Sequence, residues 1–262
     1  MDNKTENIIE VLDMTKYYNK FLAVDKINFC VKKGEIFGFL GPNGAGKTST
    51  IRILVGLSKP SSGTANIDNK DILKHITEIK KTVGVVTEDS NLYDELSVAD
   101  NLRFVGQLYG VAKAKREERI SELLKTFNFE SKRDAKFSKL SKGMKRKAVI
   151  AAALMHNPKI LFLDEPTTGL DILSVRILHT LIKELKGMGV TIFLTTHYIE
   201  EAEKLCDTVA IIVGGRIRAL DTPEKLIQKT KTKNLEGAFI ELTGLKEEIM
   251  LAEKGGRINN EQ

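Results

Sequence analysis

Short apolar runs alternate with charged, helix-period segments along most of the chain. Runs rich in β-branched and aromatic residues predict strands at Ile8–Leu12, Leu22–Val31 and Glu35–Leu40, the last leading straight into a glycine-rich loop. Thr48–Leu57 reads as a helix stopped by Ser58-Lys59-Pro60, and short strands follow at Thr64–Ile67 and Val83–Val86. From Ser97 to Phe127 the period lengthens to that of a charged helix, with Ser97 as N-cap and Gly110 as a break. This stretch interrupts the strand-helix alternation and predicts an inserted α-helical subdomain over about 90–145. Lys145–His156 is another helix, closed by Asn157-Pro158.

Alternation then resumes: Lys159–Leu163 strand, Ile172–Lys186 helix, Val190–Thr195 strand, Ile199–Leu205 helix, Val209–Val213 strand. Beyond Lys229 the chain is lysine-rich, then polar, with one strand-like run at Ala238–Leu242. The whole pattern predicts an α/β fold with a mainly parallel sheet flanked by helices and ligands at the carboxyl ends of strands.

Composition narrows this picture only slightly. At 262 residues and 42% hydrophobic, the chain can build a substantial core. The formal net charge of +6 permits an anionic partner without requiring one. Cys30 and Cys206 lack the spacing of a metal or redox pair and read as free thiols of a reducing compartment. No segment reaches the roughly 18 apolar residues of a membrane helix. Met1–Glu10 lacks the basic-then-apolar order of a signal peptide, so the expectation is a cytosolic chain held at any membrane by something else.

The strongest chemical signal is Gly41-Pro42-Asn43-Gly44-Ala45-Gly46-Lys47-Thr48, which meets G-x-x-x-x-G-K-[ST] in full between a predicted strand and a predicted helix. The glycines let the backbone turn and aim its N–H groups inward, where they and the positive helix end hold phosphate oxygens. Lys47 supplies a point charge to the β- and γ-phosphates, and the Thr48 hydroxyl suits Mg²⁺. An ordinary glycine-rich turn is the weaker alternative, because such turns seldom set Gly-Lys-Thr at a helix mouth after an apolar strand.

Ile160-Leu161-Phe162-Leu163 ends in Asp164-Glu165. Two carboxylates at the end of a buried strand are costly unless compensated, and a metal ion compensates them. Asp164 suits Mg²⁺, and Glu165 is then placed to activate an attacking water. An exposed acidic turn is the other reading.

With these residues in hand, the chain resembles the ATP-binding cassette proteins, the nucleotide-binding subunits of ABC transporters, from about Ile8 to about Gly244. Leu140-Ser141-Lys142-Gly143-Met144 is similar to the signature LSGGQ, Thr168-Gly169-Leu170-Asp171 to the D-loop, and Thr196-His197 to the switch histidine. Tyr18 matches the aromatic that stacks on adenine, although Tyr17 is adjacent, and Thr87-Glu88 falls where the Q-loop is expected.

The resemblance implies a P-loop NTPase ABC cassette with an antiparallel β subdomain. Its expected extent is 1–230, with 231–262 as a short C-terminal extension. It implies ATP and Mg²⁺ as ligands, with Tyr18, residues 41–49 including Ser49, Glu88, Ser141, Gly143 and Asp171 at the nucleotide. Thr48, Asp164 and Glu88 are expected at the metal, and Lys47, Glu165 and His197 in catalysis. Ser141 and Gly143 are expected to meet the γ-phosphate of ATP held by a second ATP-binding subunit, head to tail with this one. His197 is expected to orient the water; a lone histidine is otherwise more often structural. His75, His156 and His179 read as structural or surface residues, and Lys145, Arg146 and Lys147 as a solvated basic face.

The chain departs from the family pattern at Glu88 in place of glutamine, at Lys142 in place of glycine, and at Arg146-Lys147 after the signature. The segment Leu235–Gly244, the phosphate-loop context through Ile51 and Glu165–Asp171 are similar to the ABC-2 export branch. That implies an exporter ATPase bound peripherally to the cytoplasmic face of a membrane through a transmembrane permease subunit, with no nucleic acid partner. A soluble ABC-type ATPase with a non-transport role is the alternative. Ribosome-acting members usually carry two cassettes, and DNA-repair members a long coiled coil before the signature, neither of which is seen here. A non-catalytic subunit fits poorly with the retained Lys47, Asp164, Glu165 and His197.

Overall fold

The computed structural model describes residues 6–87 and 92–244. It opens with a hairpin of β1 (Asn7–Tyr18) and β2 (Phe21–Lys32), followed by β3 (Ile36–Leu40), α1 (Lys47–Leu54), β4 (Ser62–Ile67), β5 (Lys70–Asp71), α2 (Ile76–Lys80) and β6 (Val83–Val86). The helical insert contains α3 (Val98–Leu108) and α4 (Lys113–Thr126). It joins α5 (Lys142–Ala153), β7 (Ile160–Asp164), α6 (Ile172–Gly187), β8 (Thr191–Thr196), α7 (Ile199–Leu205) and β9 (Thr208–Val213). The described chain closes with β10 (Arg216–Asp221), α8 (Pro223–Thr230) and α9 (Leu235–Thr243).

Among the described residues ten strands form two sheets. The six-stranded sheet has the order β10-β9-β3-β8-β7-β6 and is parallel except where β10 returns antiparallel to β9. The four-stranded sheet, β2-β1-β4-β5, is antiparallel. The parallel strands β3 and β6–β9 are buried almost throughout because both faces are covered, and their period of two divides the side chains between two cores. Ile36 and Leu40 of β3 join one core with Leu161, Leu163, Ile192 and Leu194, against the helices. Phe37 and Phe39 join the other with Phe162 and Phe193, against the antiparallel sheet and α1. There the Phe37 ring stacks on Phe29 at 5.3 Å and on Phe193 at 5.4 Å.

Two expectations are corrected. Ala238–Leu242 is not a strand but part of α9. The Asn234 side chain accepts from the amide of Gly237 and caps the helix, while Leu235, Ala238, Phe239 and Leu242 fall at helical spacing onto the core. Lys145, Arg146 and Lys147 are not a solvated face. Arg146 is buried and donates to the Thr87 carbonyl at 2.7 Å; Lys145 pairs with Asp94 at 3.2 Å beside the Phe137 ring; Lys147 donates to the Phe127 carbonyl at 2.7 Å over Phe129. Their charged ends find partners, so Lys145 and Lys147 fasten α5 to the helical insert and Arg146 ties it to the end of β6.

Candidate active site

The site forms at the ends of β3, β8 and β7, with β8 between the other two. After Leu40 the chain wraps into a loop that delivers Lys47 as the first residue of α1. Gly46 stands before that helix with φ of +106°, and a Cβ there would lie 2.5 Å from the Ala23 carbonyl oxygen, so only glycine fits. Lys47 Nζ folds back under the loop and donates to the carbonyls of Gly41 at 2.7 Å and Pro42 at 3.0 Å. It also lies 3.1 Å from Glu165 Oε1. Thr48 Oγ1 reaches Asp164 Oδ1 at 3.3 Å.

β7 ends on Asp164, and register sets Asp164 opposite Thr195 of β8. Thr195 Oγ1 donates to Asp164 Oδ1 at 2.5 Å and accepts from the Glu165 amide at 3.1 Å. Glu165 has φ of +47°, a left-handed conformation that costs a non-glycine residue roughly 1–2 kcal/mol. That bend turns its carboxylate back into the site. There Oε2 lies 2.9 Å from His197 Nδ1 and accepts from Thr168 Oγ1 at 3.2 Å. Burial pushes the Glu165 carboxyl up, but the hydrogen bond and charge of Lys47, with His197 and Thr168, outweigh it and hold the group below its usual range. Glu165 is therefore ionised at neutral pH.

One cavity of about 560 Å³ gathers most of the expected residues: Tyr18, Asn43, Gly44, Gly46, Lys47, Thr48, Ser49, Asp164, Glu165 and His197. Gly41, Pro42 and Ala45 form the loop beneath it, Ala45 donating its amide to the Pro42 carbonyl. Ser141, Gly143 and Asp171 lie outside this cavity. Ser141 caps α5 by accepting from the Met144 amide, and Asp171 caps α6 by accepting from Ser174. A Cβ on Gly143 would lie 2.3 Å from Ser174 Oγ, so that glycine lets α5 close against α6. Glu88 lies outside the described residues. Of the other histidines, His156 stacks on Tyr109, His179 pairs with Glu201 and His75 with Glu78, all away from the cavity.

Phe21, Ala23 and Thr168 also line the cavity and were not among the residues expected at the nucleotide. Phe21 pairs with Tyr18 across the two-residue turn Asn19-Lys20, so two exposed rings stand together at the mouth. The signal for Phe21 was an aromatic placed symmetrically about a hairpin turn. For Thr195 it was the pair of threonines before His197, whose role depends on the register of β8 against β7.

Residues 24–168 match the family model described as ABC transporter. The chain is 41% identical over 220 residues to the Nod factor export ATP-binding protein I of Cupriavidus metallidurans, spanning 84% of this chain and 73% of that one. It is 38% identical over 244 residues to the probable multidrug ABC transporter ATP-binding protein YbhF of Escherichia coli, spanning 90% of this chain and 42% of that longer one. Among solved structures, an ATP-binding subunit of an ABC transporter superposes with a TM-score of 0.81 at 31% identity, covering 90% of this chain and 99% of that one. A dimeric ATP-binding cassette in a post-hydrolysis state, bound to ADP and Pi, superposes with a TM-score of 0.73 at 27% identity, covering 82% and 98%. The chain belongs to the ABC transporter family, as an ATP-binding and ATP-hydrolysing component.

Proposed function

We propose that this chain is the ATPase motor of an exporter, bound to the cytoplasmic face of a membrane through a separate transmembrane permease subunit. The observation that carries the hydrolytic part is Glu165, ionised and held between Lys47 and His197 by contacts of 3.1 and 2.9 Å. The export direction is supported by relatives named for Nod factor export and for multidrug transport. Among the described residues no helix is long and apolar enough to cross a membrane. A permease contact is proposed around 88–96, of which 88–91 lie outside the described residues. Residues 1–230 act as the ATPase domain, with an extension whose described helix, α9, packs against α7 and α8.

Tyr18 and Phe21 offer ring faces to adenine. The amides of the phosphate loop and the N-terminal end of α1 receive the phosphates, and Lys47 adds its charge. Thr48 and Asp164 are hard oxygen donors 3.3 Å apart, and among the described residues no group of three or more His, Cys, Asp and Glu is placed to hold a metal ion. That donor set fits Mg²⁺, which takes one or two carboxylates with phosphate and water rather than an all-protein cage. Glu88 is proposed as a further ligand. When bound, Mg²⁺ would neutralise phosphate charge as the terminal P–O bond breaks. Glu165 accepts the proton of the attacking water, and His197 holds the carboxylate in place. Ser141, Gly143 and Asp171 face the nucleotide of a second ATP-binding subunit.

Glu165→Gln is the test. It keeps size and hydrogen bonding but removes the base, so ATP binding should persist while hydrolysis falls roughly a hundredfold or more. Size-exclusion chromatography of this variant should show dimer with MgATP and monomer with MgADP. Full ATPase activity in Glu165→Gln would sink the proposed base. Affinity purification of the tagged chain from detergent-solubilised membranes should bring down an integral membrane protein; recovery of ribosomes instead would overturn the transport role.

A further inference from the structure

Two lines of residues lead away from a single carboxylate oxygen. Thr168 Oγ1 and His197 Nδ1 both contact Glu165 Oε2. Thr168 belongs to the loop that enters α6 through its cap, Asp171. His197 belongs to the loop that enters α7 through Tyr198, whose carbonyl accepts from the amides of Glu201 and Ala202 at 3.2 and 3.3 Å. About two turns into α6 and one into α7 the lines meet again, where His179 Nε2 lies 3.1 Å from Glu201 Oε1. The ring closes behind the catalytic carboxylate.

Glu201 is 3% exposed, and a carboxyl group that deep is retained only where something compensates it. No described atom bonds its other oxygen, so His179 supplies its hydrogen bond. Deeper in the fold, Leu178, Leu181 and Ile182 of α6 share one core with Ala202 and Leu205 of α7. Beside the His179–Glu201 bond, however, a cleft of about 770 Å³ opens, lined by Thr167, Leu170, His179, His197, Ile199 and Glu201. There the bond, rather than close side-chain packing, ties α7 to α6.

We propose that His179 and Glu201 are positioning residues for ATP hydrolysis: their bond fixes α7 against α6 and so keeps His197 on Glu165. The proposal rests on the assignment of Glu165 and His197 to water activation. Neither His179 nor Glu201 lines the nucleotide cavity.

The test is steady-state ATP hydrolysis by the purified full chain. Glu201→Ala and His179→Ala should each lower kcat by about tenfold, since small misplacements of catalytic groups carry losses of that order, with KM for ATP within about twofold. Glu201→Gln keeps an acceptor oxygen for His179 and should recover most of the rate. In a His197→Ala background, adding Glu201→Ala should cost less than about a further twofold, because the group being positioned is already gone. An unchanged kcat in Glu201→Ala, or an undiminished further loss in the His197→Ala background, would overturn the proposal. Wild-type hydrolysis by His197→Ala alone would instead remove the assignment beneath it, a separate result. If Glu201→Ala does not fold, His179→Ala and Glu201→Gln carry the same comparison.

Discussion

Lys47 and Glu165 face each other across the mouth of the phosphate loop, Nζ to Oε1 at 3.1 Å, with only 4% and 15% of their side chains exposed. The cation proposed to hold phosphate is thus the direct partner of the proposed general base. A phosphate that engages Lys47 competes with Glu165 for it. Nucleotide binding and readiness of the base are therefore linked through one ammonium group.

Lys47→Ala should weaken ATP binding by about ten- to a hundredfold, the scale of one charge-assisted hydrogen bond of about 1.5–3 kcal/mol. It also leaves Glu165 half-buried without its cation. Nucleotide titration of the purified variant measures the loss; affinity within twofold of wild type would remove Lys47 from this role.

Asp164→Asn should act differently. The amide still accepts from Thr195 and Thr48, so the fold should hold, but the charge facing Mg²⁺ is gone. ATP binding should become nearly independent of Mg²⁺ between micromolar and millimolar concentrations. Titration with and without Mg²⁺ reads this directly; an unchanged Mg²⁺ response would place the metal elsewhere.

Ser141→Ala removes both the α5 cap and the group proposed to meet the second subunit's nucleotide. Loss of the cap should cost about 1 kcal/mol of stability. ATP binding to the isolated chain should stay within about twofold, because Ser141 lies outside the chain's own cavity. In a Glu165→Gln background the MgATP-dependent dimer should weaken. A drop in monomer affinity for ATP would contradict action across the interface.

The depressed Glu165 carboxyl has a pH consequence with a definite sign. Its folded pKa lies below the unfolded value of about 4.3, so the ionised form stabilises the fold above that value. The contribution disappears as pH falls through the folded pKa. Acid unfolding below about pH 4 should therefore be shallower in Glu165→Gln than in wild type. For the same reason the acid limb of kcat/KM assigned to Glu165 should lie below the usual carboxylate range. Parallel denaturation curves for the two proteins in this acid window would contradict the ion pair.

Most of the α/β core was legible in sequence because its parallel strands are buried on both faces and several helices, α3, α5 and α6 among them, begin on a side-chain cap. Val83–Val86 and Ile199–Leu205 fall at their predicted bounds, and Ser97 caps α3 as its side chain allows. Elements with weaker periodicity were legible in part or not at all. β10 alternates between exposed and partly buried residues at a sheet edge and shows no clean run, and β1 was legible only over Ile8–Leu12 because its pairing turns irregular around Asp13. α9 resembles a strand in its short apolar composition and becomes a helix through its Asn234 cap and its docking on the core.

Sequence alone determined the make-up of the loop at 41–48, since its glycines, lysine and threonine are adjacent in the chain and their spacing is itself the geometry. It also determined that two carboxylates end a buried strand and that a histidine ends the next. What only the tertiary structure decided is how these meet. Strand order brings β3, β8 and β7 together, so that residues 47, 165 and 197 converge, and register selects Thr195 as the partner of Asp164. The fate of Lys145, Arg146 and Lys147 was decided in the same way, because whether a cation meets water or a buried carbonyl depends on which helix packs over it. Local spacing encodes contacts between neighbours in the chain; contacts between distant segments exist only once the sheet has set their order.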